Sequence, residues 1–185
     1  IGGGTTEVAV ISLGGIVASR SLRIAGDEMN QDIINFARDK LSLLLGERTA
    51  EDIKLSIGSA IEQKEKMHTA MRGRDLVTGL PKEITVDDEQ IRTALRKSVQ
   101  QIVEAIRATL EETPPELVAD IMGKGIVLCG GGAMLKGLDQ FIKKTTQTSV
   151  HIADDPLTSV VRGTGLVLED LETLKGVLLP TRFNA

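Results

Sequence analysis

Two runs of three glycines constrain this chain more than any other feature of its sequence. Residues 2–4 precede the aliphatic run 8–11, and residues 130–132 follow the aliphatic run 126–129. Consecutive residues that lack a Cβ let the backbone approach another group closely, and they permit a positive φ. The pattern therefore predicts two tight turns, each beside a buried strand.

The glycine turns are also suited to binding an anion. The second triplet lies at a predicted strand-to-helix junction, where the amide groups of a helix N-terminus favour negative charge. Two such turns in one domain indicate a nucleotide held from two sides. Either turn alone could be a frayed chain end or an ordinary turn, and neither matches the P-loop or the dinucleotide-binding pattern.

The composition excludes several classes of protein. The 185 residues carry 22 basic and 26 acidic side chains and contain no Trp or Tyr, so they offer no basic, aromatic surface for nucleic acid. The one cysteine, Cys129, excludes an intrachain disulfide and is interpreted as a small buried residue in a reducing compartment. His68 and His151 are isolated, and no cluster has metal-ligand spacing.

The first half of the chain reads as a hairpin followed by an α+β segment. Glycines 14 and 15 predict a hairpin of strands 7–12 and 16–24. A helix capped by Asp27 would run to a stop at Gly46, and Thr49 would cap the next helix, with Asp52 in its capping box. Three short extended pieces are then predicted at 66–71, 74–78 and 82–86, with a turn at 72–73 between the first two.

The second half alternates helix and strand, which favours an α/β fold. Asp87 or Asp88 is predicted to cap the longest helix, and Pro114 and Pro115 to start a short one. The remaining predicted elements are a strand at 125–129, a helix at 134–144, a strand at 150–152 and a last helix from 155. Two glycines in that helix, at 163 and 165, indicate either close backbone packing or weak helicity.

Several segments together resemble one family. Residues 1–11 (IGGGTTEVAVI), 23–27, 113–120, 125–135 and 155–157 are similar, in order and spacing, to the MreB family of bacterial actins. The resemblance implies an α/β, actin-like ATPase (ribonuclease-H-like) domain with a small α+β insertion subdomain. The core would comprise 1–25 and 90–160, the insertion 26–89, and a C-terminal helix at 161–185 would return toward a first domain. In the family an aspartate precedes the Ile-Gly-Gly-Gly run, so that first domain would lie upstream of Ile1.

The resemblance also implies a function. The intact protein would bind ATP with Mg, and polymerise into membrane-associated filaments that control rod cell shape and cell-wall synthesis. Its partners would be itself, the cell-wall elongation machinery and the membrane, with no nucleic acid, and it would be cytoplasmic and membrane-associated. No catalytic residue and no metal ligand is predicted in this chain, so the chain alone should lack ATPase activity.

The nucleotide-binding residues that the resemblance implies fall in three groups. They are Gly2, Gly3, Gly4 and Thr5; Glu51, Asp52, Ile53 and Lys54; and Gly130, Gly131, Gly132, Ala133 and Met134. Simpler readings exist for some of them. Thr5 or Thr6 could be a strand residue that pairs across the hairpin, and Glu51 and Lys54 could form a solvated ion pair on one helix face.

Two other functions fit parts of the pattern. A sugar or acetate kinase, or an Hsp70-type ATPase, would share the superfamily fold, although the sequence offers no candidate for a kinase's catalytic acid. A plain oligomerisation module would use the glycines only as turns. Nucleotide-dependent filament formation separates these alternatives.

Overall fold

A computed structural model describes residues 1–174 of the chain. Its strands are β1 (Thr6–Ser12), β2 (Gly15–Leu22), β3 (Leu43–Leu44), β4 (His68–Asp75), β5 (Pro81–Asp87), β6 (Ile126–Leu128) and β7 (Val150–Ile152). Its α-helices are α1 (Gly26–Leu41), α2 (Glu47–Ile57), α3 (Asp88–Glu111), α4 (Pro115–Lys124), α5 (Leu138–Thr146), α6 (Ser159–Glu169) and α7 (Leu171–Leu174). The predicted α/β class is confirmed.

The predicted N-terminal hairpin is present. Strands β1 and β2 pair antiparallel from Thr6–Leu22 to Ser12–Gly15, and Leu13 and Gly14 turn with φ of 51° and 77°. The second strand ends at Leu22 rather than at residue 24. The carbonyl of Ile24 instead accepts a hydrogen bond from the hydroxyl of Thr6, 2.7 Å away. That bond fixes the path of the chain into α1.

Both predicted boundaries of α1 are wrong. The helix begins at Gly26, its N-cap is Ala25, and Asp27 lies in its first turn without capping it. It ends at Leu41 rather than near Gly46, because Ser42 adopts a left-handed conformation with φ of 52°. Leu43 then becomes a fully buried strand residue, paired with Asp75 of β4. Helical spacing cannot reveal this switch, since leucine suits either element.

The predicted start of α2 is also wrong. The helix begins at Glu47 after Gly46, and no side chain caps it, so Thr49 and Asp52 lie inside it. Its apolar face holds Ala50, Ile53 and Ile57, all buried. The helix therefore packs on the core through this face, although its predicted cap is wrong.

Strand β4 is continuous where a turn was predicted at 72–73. Gly73 lies within the strand and faces Lys82 of β5, while β3 pairs on the other edge. A Cβ at Gly73 would lie 2.4 Å from the carbonyl oxygen of Leu44. This glycine is required by close packing of two strands rather than by a turn.

The longest helix begins as the sequence predicts. The Asp87 carboxylate accepts a hydrogen bond from the Gln90 amide at 2.8 Å, and the Gln90 side chain accepts one from the Asp87 amide, which completes a capping box. The short helix α4 begins at Pro115, with Pro114 as its N-cap, and ends at Lys124, with Gly125 as its C-cap. Proline at the first helical position explains this start.

Strands β6 and β7 pair in parallel, and α5 lies between them in the chain, as a crossover connection requires. The helix expected at 134–144 is displaced. A 3-10 turn covers Gly131–Met134, and α5 starts only at Leu138 after Gly137, which has φ of 71°. The last helix also starts later than predicted, at Ser159 rather than at residue 155.

One hydrophobic core connects the helices and sheets. Its fully buried side chains come from α1, α2, α3 and α5 and from the strands beside them; they include Met29, Ile33, Leu43, Met71, Ile91, Leu95, Ile102, Leu138 and Ile142. Cys129 is only half-buried, which corrects its predicted burial. The division into a core (1–25 and 90–160) and an insertion (26–89) stays a prediction.

Helix α6 has no buried residue. A Cβ at Gly163 or Gly165 would meet nothing within 4 Å, so the described structure contains no close packing there. Within residues 1–174, no helix combines the length and apolar character needed to cross a membrane. The predicted C-terminal helix at 161–185 is described only as far as Leu174, and its remainder lies outside the described residues.

Candidate functional site

A cleft of about 430 Å³ lies where the two glycine turns meet the first turn of α1 and one face of α2. The residues that line it come from five segments. They are Gly2, Gly3, Gly26, Asp27, Met29, Glu51, Lys54, Leu55, Gly58, Gly131, Gly132, Met134, Leu135, Lys136 and Leu157. Segments separated by more than 100 residues in sequence thus face one another across one opening.

The first glycine turn has two free amide groups, of which Gly3 lines this cleft and Gly4 lines a neighbouring recess. Its carbonyl groups are used, because Gly2 O accepts from the Gly26 amide at 3.1 Å and Gly3 O accepts from the Asp27 amide at 2.8 Å. The turn is closed by a bond of 2.9 Å from the Gly2 amide to the Thr5 carbonyl. Within the described residues, the amides of Gly3 and Gly4 donate to no protein group. They remain able to bind an anion.

The second glycine turn is used differently. The Gly130 amide donates to the Pro156 carbonyl at 2.6 Å, and the Gly132 amide donates to the Ile1 carbonyl at 3.0 Å. Of the triplet's amides, only that of Gly131 has no acceptor among the described residues. Gly131 is exposed and does not have a positive φ, whereas Gly130 has φ of 86°.

The two turns are in direct contact through Ile1. A Cβ at Gly130 would lie 2.2 Å from the Ile1 carbonyl oxygen, and one at Gly132 would lie 2.2 Å from the Ile1 Cγ2 atom. Real Cβ atoms do not approach this closely. These two glycines therefore allow the first turn to pack against the second, which brings Gly3 and Gly131 to the same cleft.

Lys54 supplies a cation at the wall of the cleft. Its ammonium group donates a hydrogen bond of 2.9 Å to the Gly26 carbonyl, which ties α2 to the start of α1. Partial burial lowers the pKa of Lys54 from its usual value, and the nearby carboxylates of Glu51 and Asp27 oppose that shift. The ammonium is close to the first glycine turn, since Gly26 is bonded to Gly2.

The structure brings together about half of the residues predicted to bind nucleotide. Those that line the cleft are Gly2, Gly3, Glu51, Lys54, Gly131, Gly132 and Met134. The others lie elsewhere. Ile53 and Ala133 are buried in the core, and Asp52 is exposed on α2 outside the cleft. Gly4 lines a neighbouring recess, while Thr5 and Gly130 line neither.

Sequence reasoning missed the remaining cleft residues. Asp27 was interpreted as a cap, and Gly58 carried no signal, although a Cβ there would lie 2.3 Å from the Lys54 carbonyl. Lys136 reaches the cleft from the loop before α5, and its ammonium donates to the Ser56 carbonyl. Spacing could not have found Lys136, because its position depends on how that loop packs on α2.

The chemistry of the cleft suits an anionic ligand. Its acidic side chains, Asp27 and Glu51, have no histidine beside them, because His68 and His151 lie outside it. Among the described residues, no group of three His, Cys, Asp or Glu side chains is placed to hold a metal ion. Free amides, a lysine and one exposed methionine together suit an anionic ligand that has an apolar part.

Comparison with known proteins gives the chain its family. The family model described as MreB/Mbl protein matches residues 1–176. The chain is 45% identical over 174 residues to the cell shape-determining protein Mbl of Bacillus subtilis, covering 94% of this chain and 52% of that protein. It is 47% identical over 178 residues to the cell shape-determining protein MreB of Escherichia coli, covering 96% and 51%. The chain thus spans about half the length of these curated relatives.

Solved structures give the same result for the fold. The crystal structure of MreB5 of Spiroplasma citri bound to AMPPNP superposes with a TM-score of 0.89 at 39% identity, over 96% of this chain and 54% of that one. The double helical filament of MamK superposes with a TM-score of 0.77 at 23% identity, over 92% and 53%, and shows the fold alone. The predicted actin-like ATPase fold is confirmed, and by its sequence the chain belongs to the MreB/Mbl family of bacterial actin-like proteins.

Proposed function

We propose that the cleft between the two glycine turns binds an adenine nucleotide, ATP or ADP, and that the protein polymerises in a nucleotide-dependent way. The observation that carries the proposal is the convergence of the free amides of Gly3 and Gly131 with Lys54 on one opening. Two related MreB5 structures contain AMPPNP and ADP, at 39% and 40% identity to this chain, which supports the nucleotide.

One set of cleft residues would contact the phosphates of the ligand, and another set would contact its ribose and base. The phosphates would lie against the amides of the glycine turns, where a donor adds no side-chain charge. The carboxylate of Glu51 would accept hydrogen bonds from the ribose hydroxyls, and the aliphatic stem of Lys54 would pack beside the base. Met134, which is 54% exposed, would lie against the apolar ring. This assignment uses the seven predicted residues that line the cleft.

A magnesium ion accompanies ATP in the function that the family implies. The described residues do not supply a set of ligand side chains for it. The chain's own residues bind and orient the nucleotide, and Asp27 and Glu51 have no partner that would make either a general base.

The remaining parts of the function extend beyond this chain. We propose that the whole protein forms filaments that associate with the membrane and with the cell-wall elongation machinery, and that these control rod cell shape. Relatives that are named cell shape-determining proteins support this proposal. The relatives described above are named Mbl, MreB and MreB5, and these names do not favour a sugar-kinase or Hsp70-like activity.

The direct test is a titration of the 185-residue chain with ADP, followed by amide chemical shifts. Weak binding, with a dissociation constant of about 1 mM, is expected because these residues surround the ligand incompletely. The shifts should change first at Gly3, Gly131 and Lys54. Shift changes confined to residues outside the cleft, or none at all, would refute the proposal.

A matched pair of variants sharpens this test. Glu51→Gln and Asp52→Asn remove the same charge from adjacent exposed positions of α2, but only Glu51 lines the cleft. Loss of a hydrogen bond to a charged group costs about 1.5–3 kcal/mol, or roughly tenfold or more in affinity. Glu51→Gln should weaken ADP binding by this factor, and Asp52→Asn should leave it nearly unchanged. Equal losses that vary with salt would mean that only the net charge matters.

A further inference from the structure

The amine of Lys54 is held at a fixed place beside the first glycine turn. It donates a hydrogen bond of 2.9 Å to the Gly26 carbonyl, and the Gly26 amide donates to the Gly2 carbonyl at 3.1 Å. A Cβ at Gly26 would lie 3.4 Å from the Lys54 Nζ atom and 3.6 Å from the Gly3 Cα atom, so these two atoms are at most 7.0 Å apart. A small molecule bound at the Gly3 amide would therefore lie next to this amine.

The surroundings of Lys54 favour the neutral form of its amine. Partial burial lowers the pKa of Lys54 below the usual value for lysine, and the carboxylates of Glu51 and Asp27 oppose that shift without cancelling it. An amine is a nucleophile only after it has lost its proton, so a lysine with a lowered pKa presents more of the reactive form near neutral pH. Lys54 is still accessible to a ligand, because its side chain lines the cleft.

The cleft would also concentrate a phosphate beside this amine. The amide of Gly3 has no acceptor in the described part of the chain, and the proposed function assigns it to a phosphate of the nucleotide. A molecule held by its phosphate reacts with a neighbouring nucleophile as if it were present at a much higher concentration. The reactive carbon must then lie within one or two bonds of the phosphate, and an acyl phosphate has this arrangement.

We propose that Lys54 is a site of acylation by a small acyl phosphate, of which acetyl phosphate is the simplest. The inference rests on the proposed function, because it needs the amides assigned there to the phosphates of the nucleotide. The neutral amine attacks the carbonyl carbon, and the bond from that carbon to the bridging oxygen breaks. Inorganic phosphate leaves with the proton that the nitrogen releases. The product is an uncharged amide at Lys54.

Acylation of Lys54 and nucleotide binding would exclude each other. The modified nitrogen keeps one N–H group, but its charge is lost and the acyl group occupies part of the cleft of about 430 Å³. ADP affinity should fall by roughly tenfold, the effect of losing a contact with a charged group. Bound nucleotide, in turn, covers the amide that the acyl phosphate needs. The modification would thus be confined to the nucleotide-free protein and would keep it in that state.

Lys136 provides an internal comparison for Lys54. It also lines the cleft, but its ammonium donates to the Ser56 carbonyl and contacts the sulfur of Met67 at 3.5 Å. These contacts tie it to the C-terminal end of α2 rather than to the first glycine turn. Acylation directed by a phosphate at Gly3 should therefore favour Lys54 over Lys136.

Mass spectrometry of the 185-residue chain after treatment with two acetylating reagents tests the proposal. Acetyl phosphate carries a phosphate, whereas N-hydroxysuccinimidyl acetate transfers the same acetyl group without one. Lys64, exposed and outside the cleft, gives the rate of a solvated lysine with each reagent. The ratio of Lys54 to Lys64 acetylation should be roughly tenfold higher with acetyl phosphate. Equal ratios with the two reagents, or preferential modification of Lys136, would overturn the proposal.

Competition by ADP and by inorganic phosphate separates this inference from the proposed function. Each should slow acetylation of Lys54 by acetyl phosphate and leave that of Lys64 unchanged. If ADP binds in the titration but neither competitor protects Lys54, the acylation proposal fails and the nucleotide proposal stands. If ADP does not bind but inorganic phosphate protects Lys54, the nucleotide proposal fails and acylation directed by phosphate stands.

Discussion

The two glycine triplets look alike in sequence, yet glycine has a different physical role in each turn. In the first, the carbonyls of Gly2 and Gly3 are bonded to α1, and the amides of Gly3 and Gly4 are left free. In the second, the amides of Gly130 and Gly132 are bonded. The first triplet has free donors for a ligand, whereas the second mainly makes room for Ile1.

The difference shows that a glycine run does not by itself define a binding loop. A Cβ would come within 2.2 Å of Ile1 at both Gly130 and Gly132, but at Gly3 it would lie 3.5 Å from the Asp27 carboxylate, an ordinary contact. Steric need is therefore strong in the second triplet and weak in the first. Substitutions should separate a stability role from a binding role.

The largest effect is expected for Gly130→Ala. The residue has φ of 86°, and the new Cβ would overlap the Ile1 carbonyl, so strain and lost packing add. The free energy of unfolding should fall by about 3 kcal/mol, measured by chemical denaturation. Gly123→Ala is the control, because this exposed helical glycine has nothing within 4 Å. It should raise stability by about 0.5–1 kcal/mol. Equal changes in both variants would contradict the packing role.

Gly132→Ala should have a smaller effect on stability. The closest atom to its new Cβ is the Cγ2 of Ile1, the end of a side chain that can move. Overpacking of this kind costs about 1–2 kcal/mol. Thermal unfolding compared with Gly130→Ala measures the difference. A Gly132→Ala variant less stable than Gly130→Ala would show that side-chain packing outweighs backbone strain in this turn.

Gly3→Ala should change binding rather than stability. Its backbone accepts a Cβ without a clash, but the methyl group would stand beside an amide that we assign to a phosphate. ADP affinity should fall by roughly threefold to tenfold. Gly4→Ala is the matched control, since Gly4 lies outside the cleft. Unfolding and ADP titration are measured on both. If Gly3→Ala loses as much stability as Gly130→Ala, the two triplets do not differ in their steric need for glycine.

The smallest effect concerns Lys54 and pH. Burial lowers the pKa of Lys54, so its charge is lost at a lower pH than that of an ordinary lysine. As pH rises from neutral toward about 10, ADP affinity should decline modestly as the Lys54 ammonium loses its proton. Lys54→Met should remove this pH dependence, and Lys64→Met, at an exposed site away from the cleft, should keep it. If the ADP affinity of Lys54→Met still declines as pH rises, a titratable group other than Lys54 causes the decline.

Much of the fold follows from local chemistry in the sequence. The capping box at Asp87 and Gln90, the proline start of α4 and the hairpin at Gly14 were all predictable, because each depends on residues a few positions apart. The boundaries that were wrong depend on distant partners. Leu43 leaves the helical pattern to pair with Asp75, and Gly73 is in a strand because the Leu44 carbonyl packs against it.

The candidate site shows the same division. The sequence by itself determined the family, the α/β class and the two glycine turns, since these are carried by residue types at fixed spacing. Only the tertiary structure decided which residues face the cleft: it placed Ile53 and Ala133 in the core, and brought in Asp27 and Lys136. It also showed that Ile1 fills the space left by Gly130 and Gly132. A glycine signals that backbone room is needed, but the group that fills the room is set by packing between segments far apart in the chain.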